Sequence, residues 1–532
     1  MPKRFRRFLT GFLALAALGA GCRVGWAQEA PSSDQAAPPP SEEAAAVPLS
    51  LEEVLKSALE KNLDIAVRRY DPKISETRIE TQRAVFEPSL SLSATADENN
   101  SPQSSALGGA NVLTEKNKTF AASYLDPLQI GSTFQFDVFT NRRTSNSFFA
   151  TLSPSYFTQA LATYTQPFLR NFGKGVNQTQ ILIAQNSERI SHSQFRQTVM
   201  DTLAAAEKAY WDLNFALMNL ETQKASLKLA QDFLEQTQVK VRVGTLPPIE
   251  ITQAKAGVAD RLQGVIVAGN SVKTAEDNLR LLMNVPSDSP LWDQPIHPSD
   301  KPEVLDKVVD MAEAVRTAMD HRPDMEQSRL NLASKDADFR FRKNQRLYRL
   351  DLVAKYGAQG LAGDLFDVDI VTVTRTPVSS TGVGDSFDQV QRRDFTTWSA
   401  QLVLGIPLGN RAADAAYAAA EYGQSQSRLT IQRVEQQARV EVRNAVRQLE
   451  TNLESFRAAQ QNTKLQREKL DAEQKKYENG MSTAFQILQF QTDLTTAQSR
   501  ENQAIVDYNK SLVELDRVLG ILIETRNVSI AD

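Results

Sequence analysis

Three histidines, one cysteine and scattered carboxylates are all that this 532-residue chain offers to bond-making chemistry. His192, His297 and His321 stand far apart, so no histidine-rich metal constellation is formed. There is no nucleophile elbow and no phosphate-cradling glycine loop. The Asp and Glu residues lie along helix-like stretches and read as solvated faces rather than acid–base pairs. No catalytic residue, metal or cofactor is expected. The one dense basic run with aromatics spans residues 340–349 and holds Arg340, Arg342, Lys343, Arg346 and Arg349 beside Phe341 and Tyr348. Taken alone, such a run suits nucleic acid or a lipid surface.

The elements around these residues are not those of a compact enzyme. Length alone suggests three or four globular units, yet none of the 22 prolines follows Pro407, so the last 125 residues run without one. Hydrophobic content is 41% and aromatic content 7%, which points to an elongated shape with limited core. A single cysteine excludes a disulfide scaffold. Beyond the N-terminus no apolar run approaches the ~18 residues of a membrane helix. Residues 1–27 hold five basic residues and no acid, leaving 55 basic against 64 acidic in the remainder. That balance implies no general nucleic-acid surface.

The N-terminus reads as an address. Lys3, Arg4, Arg6 and Arg7 precede the short apolar segment Phe12 to Leu18, and Gly25, Trp26 and Ala27 fit cleavage after Ala27. Arg6 and Arg7 before Phe8 and Leu9 also suit the twin-arginine route. Cys22, after Leu18, Gly19, Ala20 and Gly21, is a possible lipidation site. Cleavage after Ala27 would leave a mature chain without cysteine, as suits an oxidising compartment. Residues 28–48, rich in Ala, Pro, Ser and Glu, read as a disordered leader.

The chain repeats itself once. Leu51 to Ile65 aligns with Met311 to Met325 at an offset of 260, with Glu53 on Glu313, Ala58 on Ala318 and Asp64 on Asp324. The offset falls to 240 near Pro167 and Pro407, then to 236 at Gly244 and Gly480. The first repeat is predicted over 49–285 and the second over 303–522, joined by a Pro-rich linker at 286–302 and followed by a tail at 523–532. Each has the order helix, strands, long helix, tight turn, helix. Period-two alternation predicts strands at about 89–96 and 156–168, with a long insertion at 97–155, and at about 349–357 and 395–408. Trp398, Ala400, Leu402, Leu404 and Ile406 form one apolar face. An ordinary half-buried sheet and a lipid-exposed barrel look alike at this level.

Between Gly175 and Gly244 there are 68 residues without Gly or Pro, enough for a helical rod of ~100 Å. Leu203, Ala206, Tyr210, Leu213 and Leu217 keep three–four spacing, as do Ala438, Val442, Ala445 and Leu449. The repeat near 3.5 is that of a coiled coil. Its small, Ala-rich stripe suits helices packed side by side into a wide cylinder.

In this order the segments resemble the TolC-like outer-membrane factor family, the exit ducts of bacterial tripartite efflux pumps and type I secretion systems. The carriers are Leu49 to Leu55 with Ala58, Leu59 and Asn62, the strand start at Pro88, the strand exit Gln166 to Arg170, and two tip turns. The tips are Val241 to Thr245 and Tyr477 to Ser482, the second followed by Gln486, Ile487, Leu488 and Leu494. The resemblance covers about residues 49–522. It implies a mixed α and β membrane protein: a homotrimer whose strands close one outer-membrane β-barrel, four per chain and twelve per trimer, continued by a periplasmic α-helical barrel. It further implies a periplasmic adaptor protein at the tips and, through it, an inner-membrane pump.

The resemblance also assigns sites. Gly244, Thr245, Leu246, Gly480, Met481 and Ser482 become exposed adaptor contacts at tips 244–248 and 480–482. Glu250, Gln486 and Gln489 fall where relatives narrow the pore, with amides where acids are common. The basic run falls at the inner membrane interface, and Trp398, Leu402, Leu404 and Ile406 face lipid. After export, nucleic acid is not a partner. One departure concerns Phe120 to Leu125 and Thr133 to Phe139, which look like two further strands and would make six per chain, or else an external hairpin. The competing reading is a periplasmic coiled-coil spacer or adaptor without a barrel.

Overall fold

The computed structural model describes residues 46–105, 108–304 and 306–529. The signal segment, Cys22 and most of the leader lie outside the described residues. In chain order the first elements are β1 (Val47–Leu49), α1 (Leu51–Lys61), α2 (Leu63–Arg68) and α3 (Tyr70–Arg83). The strands β2 (Ser89–Pro102), β3 (Val112–Pro127), β4 (Thr133–Ser145) and β5 (Leu152–Pro167) follow. Then come α4 (Lys174–Asn177), α5 (Thr179–Arg242), α6 (Ile249–Leu282), β6 (Ile296–Pro298), α7 (Met311–His321) and α8 (Pro323–Gln345). The second set is β7 (Arg349–Asp369), β8 (Thr374–Ser380), α9 (Val383–Arg392), β9 (Phe395–Gly405), α10 (Arg411–Glu478), α11 (Ala484–Leu519) and α12 (Leu522–Thr525).

Local chemistry fixes the helix starts. Ser50 caps α1 in a reciprocal box with Glu53, whose carboxylate is held below its ordinary pKa by the Ser50 backbone and hydroxyl. Asp310 caps α7 through the amides of Ala312 and Glu313. Pro323 opens α8, where its missing N–H is no loss. Val47 and Pro48 are not loose leader: β1 pairs in parallel with β6, tying residues 47–49 to the Pro-rich segment.

The rods α5 and α10 have 64 and 68 residues, about 100 Å each. Their return helices α6 and α11 are about half as long, so the other half of α5 packs against α3 and α8 and that of α10 against α8. The largest core cluster gathers Leu203, Tyr210 and Leu213 of α5 with Leu279 of α6 and Val506 and Val513 of α11. Tyr210 donates to Asp300 Oδ2 (2.8 Å), which also accepts from the Leu51 amide (2.7 Å). That bond seats the first repeat on the linker.

The sheet corrects the expected strand count. Its order is β2-β3-β4-β5-β7, with β9 and β8 end to end along the far edge of β7, and every pairing in it is antiparallel. The chain therefore supplies six columns rather than four, and the segment taken as an insertion at 97–155 is mostly sheet. The two further strands at Phe120 to Leu125 and Thr133 to Phe139 are β3 and β4, and their polar outer ends, with Lys116 and Lys118 and then Arg142 and Arg143, carry them beyond those segments. The strand β7 runs to Asp369, well past the expected 357, and β9 stops at Gly405, so Ile406 lies beyond it.

Candidate functional site

Directly opposed residues in an antiparallel pair share a sheet face. One face carries Leu90, Leu92 and Ala94 of β2 beside Tyr124, Ala122 and Phe120 of β3. On the same face stand Phe134, Phe136 and Val138 of β4 and, opposite them, Tyr164, Ala162 and Ala160 of β5. Leu352, Ala354 and Tyr356 of β7 continue it to Leu402, Ala400 and Trp398 of β9. The other face is dominated by polar side chains, including Ser91, Ser123, Asp137, Gln135, Thr163, Lys355, Gln401 and Ser399. On it Ser123 donates to Asp137 (2.5 Å) and the Gln135 amide reaches the same carboxylate (3.0 Å).

The polarity is inverted with respect to water. Outside the patch that α9 covers at Thr158 and Gly360, the apolar face is the open one, with Leu92 74% and Trp398 79% exposed, while Gln135 and Asp137 are half-buried. A soluble sheet buries the opposite face. Burying such rows in lipid returns roughly 25 cal/mol per Å², which is the economy of a membrane barrel wall.

Backbone groups are cared for as lipid requires. The strands β8 and β9 leave a gap along β7, and side chains fill it. The Leu361 amide donates to Gln389 Oε1 (2.9 Å), and Gln389 Nε2 donates back to the Leu361 carbonyl (3.1 Å). Gly363 exchanges bonds with Thr381 in the same way. Helix α9 reaches the sheet because a Cβ on Gly360 would stand 2.1 Å from the Ser386 carbonyl oxygen. The Ser386 and Thr158 hydroxyls, both buried, meet there at 2.7 Å. Sequence reading missed this helix because its job is to satisfy a strand edge.

At the far end of the rods, Gly244 and Gly480 close α5 and α10 with φ of +81° and +75°, where a side chain would be strained. Thr245 and Met481 are exposed. Leu246 and Ser482 differ from expectation. Leu246 packs on the cluster of Phe233, Ala254, Tyr477, Ala484 and Ile487, which joins the two hairpins. Ser482 donates to Glu473 Oε1 (2.6 Å) and lies 2.9 Å from Gln486 Oε1. Ser482 and Lys476 hold the Glu473 carboxylate below the usual glutamate pKa.

Glu250 and Gln486 are brought together around the first turn of α11: the Ala484 amide donates to Glu250 Oε2 (3.2 Å). Gln489 sits a turn further on and donates to Asp493 Oδ1 (3.0 Å), an acid the spacing argument passed over. Arg261 was also missed. It is buried on α6 and donates to the Leu488 carbonyl (2.9 Å) and Thr492 Oγ1 (2.7 Å) of α11, and burial draws its pKa down. Its signal in the sequence was only an arginine on an otherwise small-residue helix face.

The basic run lies at the joint of helices and sheet. Arg342 meets Asp338 (3.3 Å), Arg346 meets Asp414 (2.8 Å) and stacks over Tyr417 (4.6 Å), and Arg349 meets Asp351 (2.5 Å). Arg340 donates to the Asp336 carbonyl (3.3 Å), and Lys343 is exposed. Among the described residues no cluster of three or more His, Cys, Asp or Glu could hold a metal, and no helix is long and apolar enough to cross a membrane.

A membrane-type sheet continued by long paired helices defines a class, that of outer-membrane channels with a helical extension. Residues 54–285 and 314–521 match the outer membrane efflux protein family, and the chain belongs to it. It is similar in fold to the CmeC outer membrane channel of Campylobacter jejuni, with 14% identity, 91% of this chain and 87% of that chain covered, and a TM-score of 0.61. The outer membrane protein VceC of Vibrio cholerae is similar at 14% identity, 88% and 96% coverage and 0.61. The open state of the MtrE outer membrane channel of Neisseria gonorrhoeae is similar at 18% identity, 89% coverage of each chain and 0.59. Comparison with curated proteins returns no match. The family is one of channels rather than enzymes, placed in the outer membrane and extending into the periplasm. The reading as a spacer without a barrel is not supported, since it leaves the inverted sheet without a purpose.

Proposed function

We propose that this protein is the passive exit duct of a tripartite efflux or type I secretion assembly, working as a homotrimer. The observation that carries the reading is the inverted sheet with two open edges, β2 on one side and β8 with β9 on the other. In lipid each unsatisfied backbone group costs several kcal/mol. Copies joined edge to edge into a closed cylinder remove both edges. With six columns each, three copies make eighteen strands.

The polar face then lines the water channel, while Trp398, Leu402 and Leu404 face lipid. The joined run Arg340 to Arg349 anchors the inner interface, where basic and aromatic residues are favoured. The tips around Gly244, Thr245, Gly480 and Met481 take the periplasmic adaptor, with exposed Val243 and Phe485 adding apolar contact. Leu246 and Ser482 hold the tip in shape. Glu250, Gln486 and Gln489, with Asp493, line the closed aperture. The chain has no chemistry of its own, so an inner-membrane pump drives transport through the adaptor.

Membrane fractionation tests the core of this. A heat-modifiable oligomer in the outer-membrane fraction is expected, and a monodisperse monomer in detergent-free buffer would refute it. Gly480→Glu is expected to abolish export with oligomers intact. Gln486→Asp with Gln489→Asp is expected to add block by divalent cations in single-channel recordings, and unchanged block removes these glutamines from the pore.

A further inference from the structure

The apolar face does not end in neutral residues. Beyond the row of Ala94, Phe120, Thr140 and Thr158 comes a row in direct register: Ala96, Lys118, Arg142, Tyr156 and Ala362. The next row holds Glu98, Lys116 and Thr144. Lys118 and Arg142 are therefore two cations at directly opposed positions, an arrangement that is unfavourable unless a counter-charge is near. Glu98 is taken by Lys116 at 3.1 Å. Arg142 is steadied by Tyr156, whose hydroxyl lies 3.3 Å from Nε and whose ring lies 6.0 Å away. Among the described residues no carboxylate forms an ion pair with Lys118 or Arg142.

Depth says what meets this pair. On β7 the row of Leu350 and Leu404 lies twelve residues from Ala362, the β7 member of the basic row. Twelve residues are about 40 Å along a strand, or about 30 Å across a bilayer at a typical barrel tilt, close to the thickness of a hydrocarbon core. The basic row thus stands on the outer wall, where acyl chains end and headgroups begin, in the leaflet remote from the rods α5 and α10 and beside α9.

We propose that Lys118 and Arg142, with Tyr156 positioning the guanidinium, bind the phosphate of a phosphorylated lipid headgroup in that leaflet. The inference rests on the membrane-barrel reading and adds a ligand to it. A lipid phosphate supplies the missing charge, while its acyl chains lie on Phe120, Leu92 and Val138 just below. A planar guanidinium beside an ammonium suits a phosphate's several oxygens. Lys355, on the polar face, has no part in this.

The test is lipid retention by the purified oligomer after exchange into a neutral detergent, read as phosphorus per chain and by mass spectrometry. The natural chain is expected to keep phosphorylated lipid. Lys118→Gln should lower retention about fivefold, and Lys118→Ala with Arg142→Ala about thirtyfold, on the usual contribution of a basic side chain at an anionic surface. Lys355→Ala should change nothing. No lipid on the natural chain, equal retention in the variants, or loss with Lys355→Ala would each overturn the proposal. Lys118 is exposed, so the single variant is expected to fold, and a heat-modifiable oligomer confirms it. A chain that forms no outer-membrane oligomer sinks the duct reading itself. An intact oligomer with unchanged lipid sinks this inference alone.

Discussion

Two basic rows bracket the sheet, and they are treated differently. At the helix end Arg342, Arg346 and Arg349 each have a carboxylate of their own chain, from Asp338, Asp414 and Asp351. At the far end Lys118 and Arg142 have none among the described residues. The first row is a joint that fixes the angle between rods and strands from within. The second is finished only by something outside the chain. Similar side chains at similar depth can thus serve as internal fastening or as a receptor, and the position of the acids decides which.

The most severe way to break the contrast is to erase the apolar interval between the rows. Phe136→Arg, on the open face at mid-sheet, should destabilise the embedded oligomer by about 2–4 kcal/mol. Urea midpoints and the heat-modifiable fraction report it. The same change at Gln135, one residue away on the polar face, should leave the oligomer and alter ion selectivity. Removing an internal fastener comes next. Asp351→Ala takes the acceptor from Arg349 and should cost about 1.5–3 kcal/mol, the range for a hydrogen bond to a charged group. Lipid retention should be unaffected.

Salt sharpens the contrast more gently. Raising ionic strength from about 0.1 to about 1 M shortens the screening length from about 10 to about 3 Å. It should strip lipid from the far row while the helix-end pairs, already in contact, hold the fold. The smallest effect concerns pH at the tips. The folded pKa of Glu473 lies below its unfolded value, so its contribution is full above the ordinary glutamate range. That contribution is lost as pH falls through the lower, folded value. Tip order, followed by a label at Met481→Cys, should survive mild acid and loosen only below that range. Glu473→Gln should flatten the response.

The rods were legible because helix chemistry is local. The stretch free of Gly and Pro between Gly175 and Gly244 and the Pro-free run after Pro407 state their lengths, and Gly244 and Gly480 state the ends. The strands β7 and β9 were legible in part, since strict alternation at Leu350, Leu352 and Ala354 needs no partner to be seen. The middles of β3 and β4 were legible and their outer ends were not, because a barrel strand continues beyond lipid, and its wet end, as at Lys116 to Lys118, has loop composition. Leu246, Ser482 and Arg261 escaped for another reason. Their roles arise where two hairpins meet, and no spacing within one segment records a contact with the other. The rows that place Lys118 beside Arg142 depend on register, which the sequence alone left free.

The six columns bear on what limits passage. The girth of a closed sheet grows roughly in proportion to its strand number. Three chains of this kind would enclose a mouth about half again as broad as a twelve-stranded one, in the range where porins leave an open aqueous bore. Such an opening sieves little. In the proposed duct, size discrimination would then fall to the helix tips, where Glu250, Gln486 and Gln489 are proposed to line the aperture, and the membrane-embedded end would be left as a wide outfall.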